Sequence, residues 1–105
     1  TIFCERVNDN FVLRRGFNIV KDSNVLIIED VITTGRSSLE CSELVQKAKA
    51  NILGYACIID RSNGNSKIKD KIISQIEINI PTYSKDNLPD NLKTIKVTKP
   101  GSRGL

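Results

Sequence analysis

Four consecutive apolar residues, Val25-Leu26-Ile27-Ile28, stand between a polar turn and a pair of carboxylates. An unbroken run of this kind suits a strand covered on both faces, as in a parallel sheet. It ends in Glu29 and Asp30, followed by Val31-Ile32 and then Thr33-Thr34-Gly35-Arg36-Ser37. Helical spacing comes next, with Cys41, Leu44, Val45 and Ala48 on one face. Ser37-Ser38-Leu39-Glu40 fits a capping box, with Ser37 at the cap and Glu40 reaching back. Glu43 and Lys47 are spaced for an i, i+4 ion pair, and Asn51 is placed to close the helix. Residues 52–59 form a second apolar run. Strand, helix and strand so close together predict a right-handed, parallel βαβ unit.

The flanks are less regular. Residues 1–6 and 11–20 read as strand-like, and Asn8-Asp9-Asn10 between them is turn chemistry. A hairpin or a long loop is expected there, with a second turn at residues 21–24. Asp60 and Arg61 close the second strand, and residues 62–66 form a polar loop. Residues 67–75 are ambiguous, one helical turn being an option. Ile76, Ile78 and Ile80 alternate with polar positions, which predicts a strand with one covered face. Beyond Pro81 the chain turns polar, with room for a short helix in residues 85–92 and a tail at 99–105. The expectation is a single α/β domain in three regions: a loop or hairpin (1–24), a βαβ core (25–80) and a carboxy-terminal segment (81–105).

Composition narrows the function. A chain of 105 residues makes one small domain, which buries only roughly 60–70% of its unfolded surface and is marginal alone. The absence of methionine and the start at Thr1 fit an excised or processed polypeptide, or one written without its initiator. No apolar run approaches the roughly 18 residues of a membrane span, so no membrane partner is expected. A net charge of +4 suits an anionic ligand. Five aromatics and no dense Lys/Arg cluster argue against nucleic acid. Three cysteines without CxxC spacing, and no histidine, disfavour a disulfide scaffold or a zinc site and exclude a histidine-based triad. Free thiols in a reducing cytoplasm are expected.

The chemistry concentrates where the first buried strand hands over to the helix. Ligands of open α/β sheets bind at the carboxyl ends of strands. Unpaired N–H groups at a helix amino terminus favour an anion there. Gly35 lets backbone approach a ligand, Thr33, Thr34 and Ser37 supply hydroxyls, and Arg36 supplies charge. Glu29 and Asp30 would repel a bare phosphate. They make sense as acceptors for ligand hydroxyls, or beside a divalent cation. A sugar phosphate meets both demands. The bland alternative, a capped helix beside a solvated strand end, is disfavoured because the arrangement follows a buried strand. No GxGxxG follows that strand and no GxxxxGK[ST] is present, which argues against dinucleotide folds and P-loops.

The thirteen residues from Val25 to Ser37 resemble the phosphoribosyl pyrophosphate motif of the type I phosphoribosyltransferases. Three further stretches resemble the orotate branch: Phe3-Cys4-Glu5-Arg6 with Leu13-Arg14-Arg15-Gly16-Phe17, Asp60-Arg61-Ser62, and Lys99-Pro100-Gly101-Ser102-Arg103. The resemblance implies the carboxy-terminal half of a Rossmann-like domain, members being about twice this length. It implies transfer of phosphoribosyl from phosphoribosyl pyrophosphate to orotate, giving orotidine 5′-phosphate and pyrophosphate for pyrimidine nucleotide synthesis. Glu29 and Asp30 would hold ribose hydroxyls and Thr33, Thr34, Gly35, Arg36 and Ser37 the 5′-phosphate, with Val31 and Ile32 also counted in the phosphoribosyl pyrophosphate site. Thr33 and Arg61 would contact orotate. Arg6, with Asp30, is the catalytic candidate, and Arg14 and Arg15 are weaker ones. Mg²⁺ would arrive on the phosphoribosyl pyrophosphate, with no metal ligands assigned to the chain. Partners would be a second copy or a separate amino-terminal half. The chain departs from the pattern at Asn10, where the resembling subgroup has a lysine. Two other readings stay open: a non-catalytic phosphoribosyl- or phosphate-binding remnant or regulator, and a transferase for a purine base, against which Arg61 and the Lys-Pro-Gly-Ser-Arg tail speak.

Overall fold

The computed structural model describes residues 1–96, so the Lys99–Arg103 stretch lies outside the described residues. The chain opens with a tight antiparallel hairpin, β1 (Cys4–Val7) and β2 (Asn10–Leu13). Asn8 and Asp9 both take positive φ, at 47° and 63°. That is what a two-residue hairpin loop demands, and Asn and Asp tolerate it. Asn10 is therefore the first residue of β2, not part of the turn. Nor does β2 run on to residue 20 as the sequence suggested. The Phe17 N–H donates to the Arg14 carbonyl at 3.0 Å and Gly16 takes φ 89°, so the chain turns directly after Leu13.

The core is the expected βαβ unit. β3 (Asn24–Ile32), α1 (Arg36–Lys47) and β4 (Asn51–Asp60) are followed by β5 (Ile72–Glu77), in a three-stranded parallel sheet of order β3-β4-β5. β5 starts earlier than the alternation of Ile76, Ile78 and Ile80 implied. Ile72 and Ile73 pair with Tyr55 and Ala56, so residues 72–75 are strand, not a helical turn. A bulge places Val25 opposite Ile52 and Leu26 opposite Gly54, leaving Leu53 as the extra residue. This shift lets Ile52 and Tyr55, three apart, both pack toward α1. Residues 85–92 give two short pieces, a 3₁₀ turn (Lys85–Asn87) and the single-turn α2 (Asp90–Lys93).

α1 covers one sheet face. Ile27, Ile32, Val45, Tyr55, Cys57 and Ile68 form the buried core, with Val25, Leu39 and Cys41 packed at its margin. The other face is open, contrary to the expectation of a strand covered on both sides. Ile28 is 70% exposed, Ile58 57% and Ile73 63%. Local sequence says that these residues are apolar, but not whether a second layer lies over them.

The helix ends also differ from expectation. The amino-terminal cap is Gly35 with φ 74°, and no side chain caps it. Ser37 and Glu40 therefore form no capping box. The inward face includes Ser38 and Ser42, both buried, alongside Val45. Among the described residues the i, i+4 ion pair of this helix is Arg36–Glu40, not Glu43–Lys47. Closure falls to Lys49 (φ 57°) rather than Asn51, with the Ala50 N–H reaching the Val45 carbonyl at 3.1 Å.

The cysteines are free. Burial, with the Cys4 thiol adding to it, pushes the Cys41 thiol up to about 12, and burial also raises Cys57. The thiolate is the reactive form. Iodoacetamide at neutral pH should therefore modify Cys41 and Cys57 slowly in the native chain and quickly in denaturant. Equal rates in both conditions, read by mass spectrometry, would contradict this packing.

Candidate phosphate and ribose site

β3 does not stop at the carboxylates. It continues through Glu29 and Asp30 to Ile32, and strand alternation sends the two carboxylates to different sides. Glu29 turns toward α1, where its Oε2 accepts from Ser38 Oγ at 3.3 Å. Burial raises the Glu29 pKa above the usual carboxylate value. The Ser38 hydrogen bond opposes this, and the neighbouring Asp30 charge adds to the rise. Asp30 is exposed, and its Oδ1 accepts from the Val31 N–H at 2.7 Å.

After Ile32 the chain folds into a concave loop. Glu29 and residues 31–38 line a cavity of about 160 Å³ over the amino terminus of α1. Eight of the nine residues expected to hold a phosphoribosyl group are there: Glu29, Val31, Ile32, Thr33, Thr34, Gly35, Arg36 and Ser37. Asp30 instead lines a second, adjoining cavity of about 620 Å³ between the free edge of β3, α1 and the hairpin. Ser38 joins the loop cavity and was not anticipated. Its place was hidden because a capping box at Ser37 would have made it an ordinary first-turn residue.

The loop is held from outside. The Lys67 N–H donates to the Thr34 carbonyl at 2.9 Å, and the Arg61 N–H to the Ile32 carbonyl at 2.9 Å. A Cβ on Gly35 would lie 2.5 Å from Ser66 Oγ and 2.8 Å from Ile68 Cγ1. Residues 66–68 thus clamp the loop, a role their sequence did not announce. Beneath it runs a polar relay. Ser42 Oγ donates to the Ser38 carbonyl at 2.9 Å and lies 2.7 Å from the Tyr55 hydroxyl, while Ser38 Oγ meets Glu29.

Arg61 is half-buried, and its Nε is buried with no acceptor among the described residues. Its backbone bond to Ile32 sets it beside the start of the loop. Arg6 does not line the loop cavity. Its Nη2 donates to Glu40 Oε2, its Nη1 donates to the Asp9 carbonyl at 2.7 Å, and its guanidinium stacks 4.6 Å from the Phe11 ring centre. Asn10 stabilises the hairpin turn through the Asn8 carbonyl (3.1 Å) and brings no charge. Among the described residues, no group of three or more His, Cys, Asp or Glu could hold a metal ion, and no helix is long and apolar enough to cross a membrane.

The phosphoribosyl transferase domain profile matches residues 5–87, which takes in all but the first residue of the hairpin, the loop and the whole parallel sheet. The chain belongs to that family. Among curated relatives, the orotate phosphoribosyltransferase of Maricaulis maris is 44% identical over 104 residues, covering 99% of this chain and 54% of the relative. That of Parvibaculum lavamentivorans is 46% identical over 104 residues, with the same coverage. The chain therefore spans about half the length of the curated relatives it matches. Among solved structures, adenine phosphoribosyltransferase from Saccharomyces cerevisiae aligns with a TM-score of 0.55 and 29% identity, over 70% of this chain and 44% of that one. The family fold is thus a phosphoribosyltransferase α/β fold, here in part.

Proposed function

We propose that this phosphoribosyltransferase chain is the ribose- and phosphate-binding portion of an orotate phosphoribosyltransferase. The observation that carries the reading is the loop cavity, in which a carboxylate, Glu29, faces an anion cradle built from Thr33–Ser38. In this reading the cradle amides and hydroxyls take the 5′-phosphate. Glu29 and Asp30 accept from ribose hydroxyls, and Arg61, whose Nε has no acceptor among the described residues, meets the orotate carboxylate through its planar fork. Mg²⁺ enters as part of the phosphoribosyl pyrophosphate. Positioning of the ribose and neutralisation of the departing pyrophosphate then provide the catalysis.

Replacing Glu29 and Asp30 together by alanine tests this. Bonds from a hydroxyl to a carboxylate are worth about 1.5–3 kcal/mol. Affinity for ribose 5-phosphate should therefore fall at least about tenfold, while inorganic phosphate binds as well or better once two negative charges are gone. Equal loss for both ligands in titration calorimetry would remove the carboxylates from the ribose role. Because the Glu29 pKa is raised, its acceptor form fills in only as pH climbs through that raised value, and ribose 5-phosphate affinity should climb with it.

A second reading, binding without turnover, is favoured by Asn10, which brings no cation to the hairpin. Incubation with phosphoribosyl pyrophosphate, Mg²⁺ and orotate, followed by orotate absorbance, separates the two. Turnover by the chain alone rules out the second.

A further inference from the structure

Glu40 has no part in the phosphate cradle, yet it connects the two arginines nearest to it. Its Oε1 accepts from Arg36 Nε at 2.8 Å, and its Oε2 accepts from Arg6 Nη2. Arg36 opens α1 beside the cradle, and Arg6 belongs to β1. The remaining Arg6 contacts, to the Asp9 carbonyl and the Phe11 ring, lie within the hairpin itself. The Glu40 bond thus ties that guanidinium to the helix. Glu40 is free for this because Gly35, with no side-chain bond, caps α1. Both guanidiniums hold the carboxyl below the usual carboxylate range, Arg36 foremost, so it is ionised at neutral pH.

Partly exposed surface ion pairs typically add little net stability, so fold maintenance is a weak reason for the arrangement. Its geometry has another consequence. A carboxylate between two guanidiniums copies the recognition of a phosphate oxygen pair. It sits one helical turn from a site shaped for an anion.

We propose that Glu40 is a positioning residue that acts as a built-in substitute anion, parking Arg6 and Arg36 until the charged end of a polyphosphate ligand exchanges with it. The inference rests on the ligand reading above and adds the control of its cations. Ligand entry then releases the hairpin from α1. Until then Glu40 keeps the two arginines from repelling each other and from collecting stray anions.

The test uses this chain, its Glu40→Gln variant and two probes, inorganic phosphate and inorganic pyrophosphate. Glu40→Gln should bind pyrophosphate about three- to tenfold more tightly, as expected when competing charge is removed. The gain should shrink when Arg6 is alanine. In nitrogen-resolved NMR, the Arg36 Nε–H signal of the wild type should move on pyrophosphate addition toward its position in Glu40→Gln. The β1 and β2 amides should lose exchange protection in both cases. A merely structural Glu40 would loosen the hairpin in the variant with no gain in affinity, and that result overturns the proposal. An Arg36 signal indifferent to pyrophosphate overturns it as well. If neither probe binds the wild type, the cradle reading itself fails and the proposal falls with it. Phosphate binding without the Glu40→Gln gain sinks the proposal alone.

Discussion

Gly35→Ala should cost the chain about 2–5 kcal/mol of stability and lower phosphate affinity more than tenfold. Two separate causes add. A β-carbon at φ 74° brings a left-handed penalty of about 1–2 kcal/mol. It would also stand 2.5 Å from Ser66 Oγ and 2.8 Å from Ile68 Cγ1, and overpacking of that kind costs about 1–3 kcal/mol. Relief requires residues 66–68 to withdraw, which breaks the Lys67 N–H bond to Thr34 and opens the cradle. Gly64 provides the control. It has the same φ of 74° but nothing within 4 Å of its would-be Cβ. Gly64→Ala should show the conformational penalty alone, with phosphate binding intact. Urea melts and calorimetry on both variants decide the matter. If the two alanines behave alike, the close approach at Gly35 is not what shapes the loop.

The second large effect is expected at Ile32. It is 2% exposed and is the last residue of β3, so it anchors the strand where the cradle begins. Its truncation to alanine should cost about 2–5 kcal/mol, against about 0.5–1.5 for valine. Small domains have only about 5–15 kcal/mol in hand, so the alanine variant should be largely unfolded in mild urea. The valine variant should fold and bind normally. An alanine variant within about 1 kcal/mol of wild type would mean that the strand end is not held by core packing.

The site was legible in the sequence to the extent that chemistry there is local. A buried apolar run, two acids and a Thr/Gly/Ser loop entering a helix specify the cradle without tertiary information. The structure gathers eight of those nine residues around one cavity. What escaped depends on distant partners. The cap is Gly35 and not Ser37, at a place where Ser66 and Ile68 leave no room for a β-carbon, and nothing in residues 33–40 encodes that close approach. Ser42 packs inward where Tyr55, on β4, supplies a hydroxyl, and Ser38 where Glu29, on β3, accepts its hydroxyl. The start of β5 was misplaced because Ile72, Ile73, Ile76, Ile78 and Ile80 offer two overlapping alternations. Only pairing with β4 chooses between them. The exposure of Ile28, Ile58 and Ile73 was beyond reach for the same reason: apolar character records what a face would bury, not what lies over it.

The chain of bonds from the Tyr55 hydroxyl to Ser42, on to the Ser38 carbonyl, and from the Ser38 hydroxyl to Glu29 means that this acid is oriented from the interior. A screen for variants with altered ligand affinity will score Tyr55 among the binding residues although no ligand can touch it. Changes there would travel outward as a reoriented carboxylate. The loop cavity can thus be retuned by repainting a wall inside the house and leaving the doorway alone.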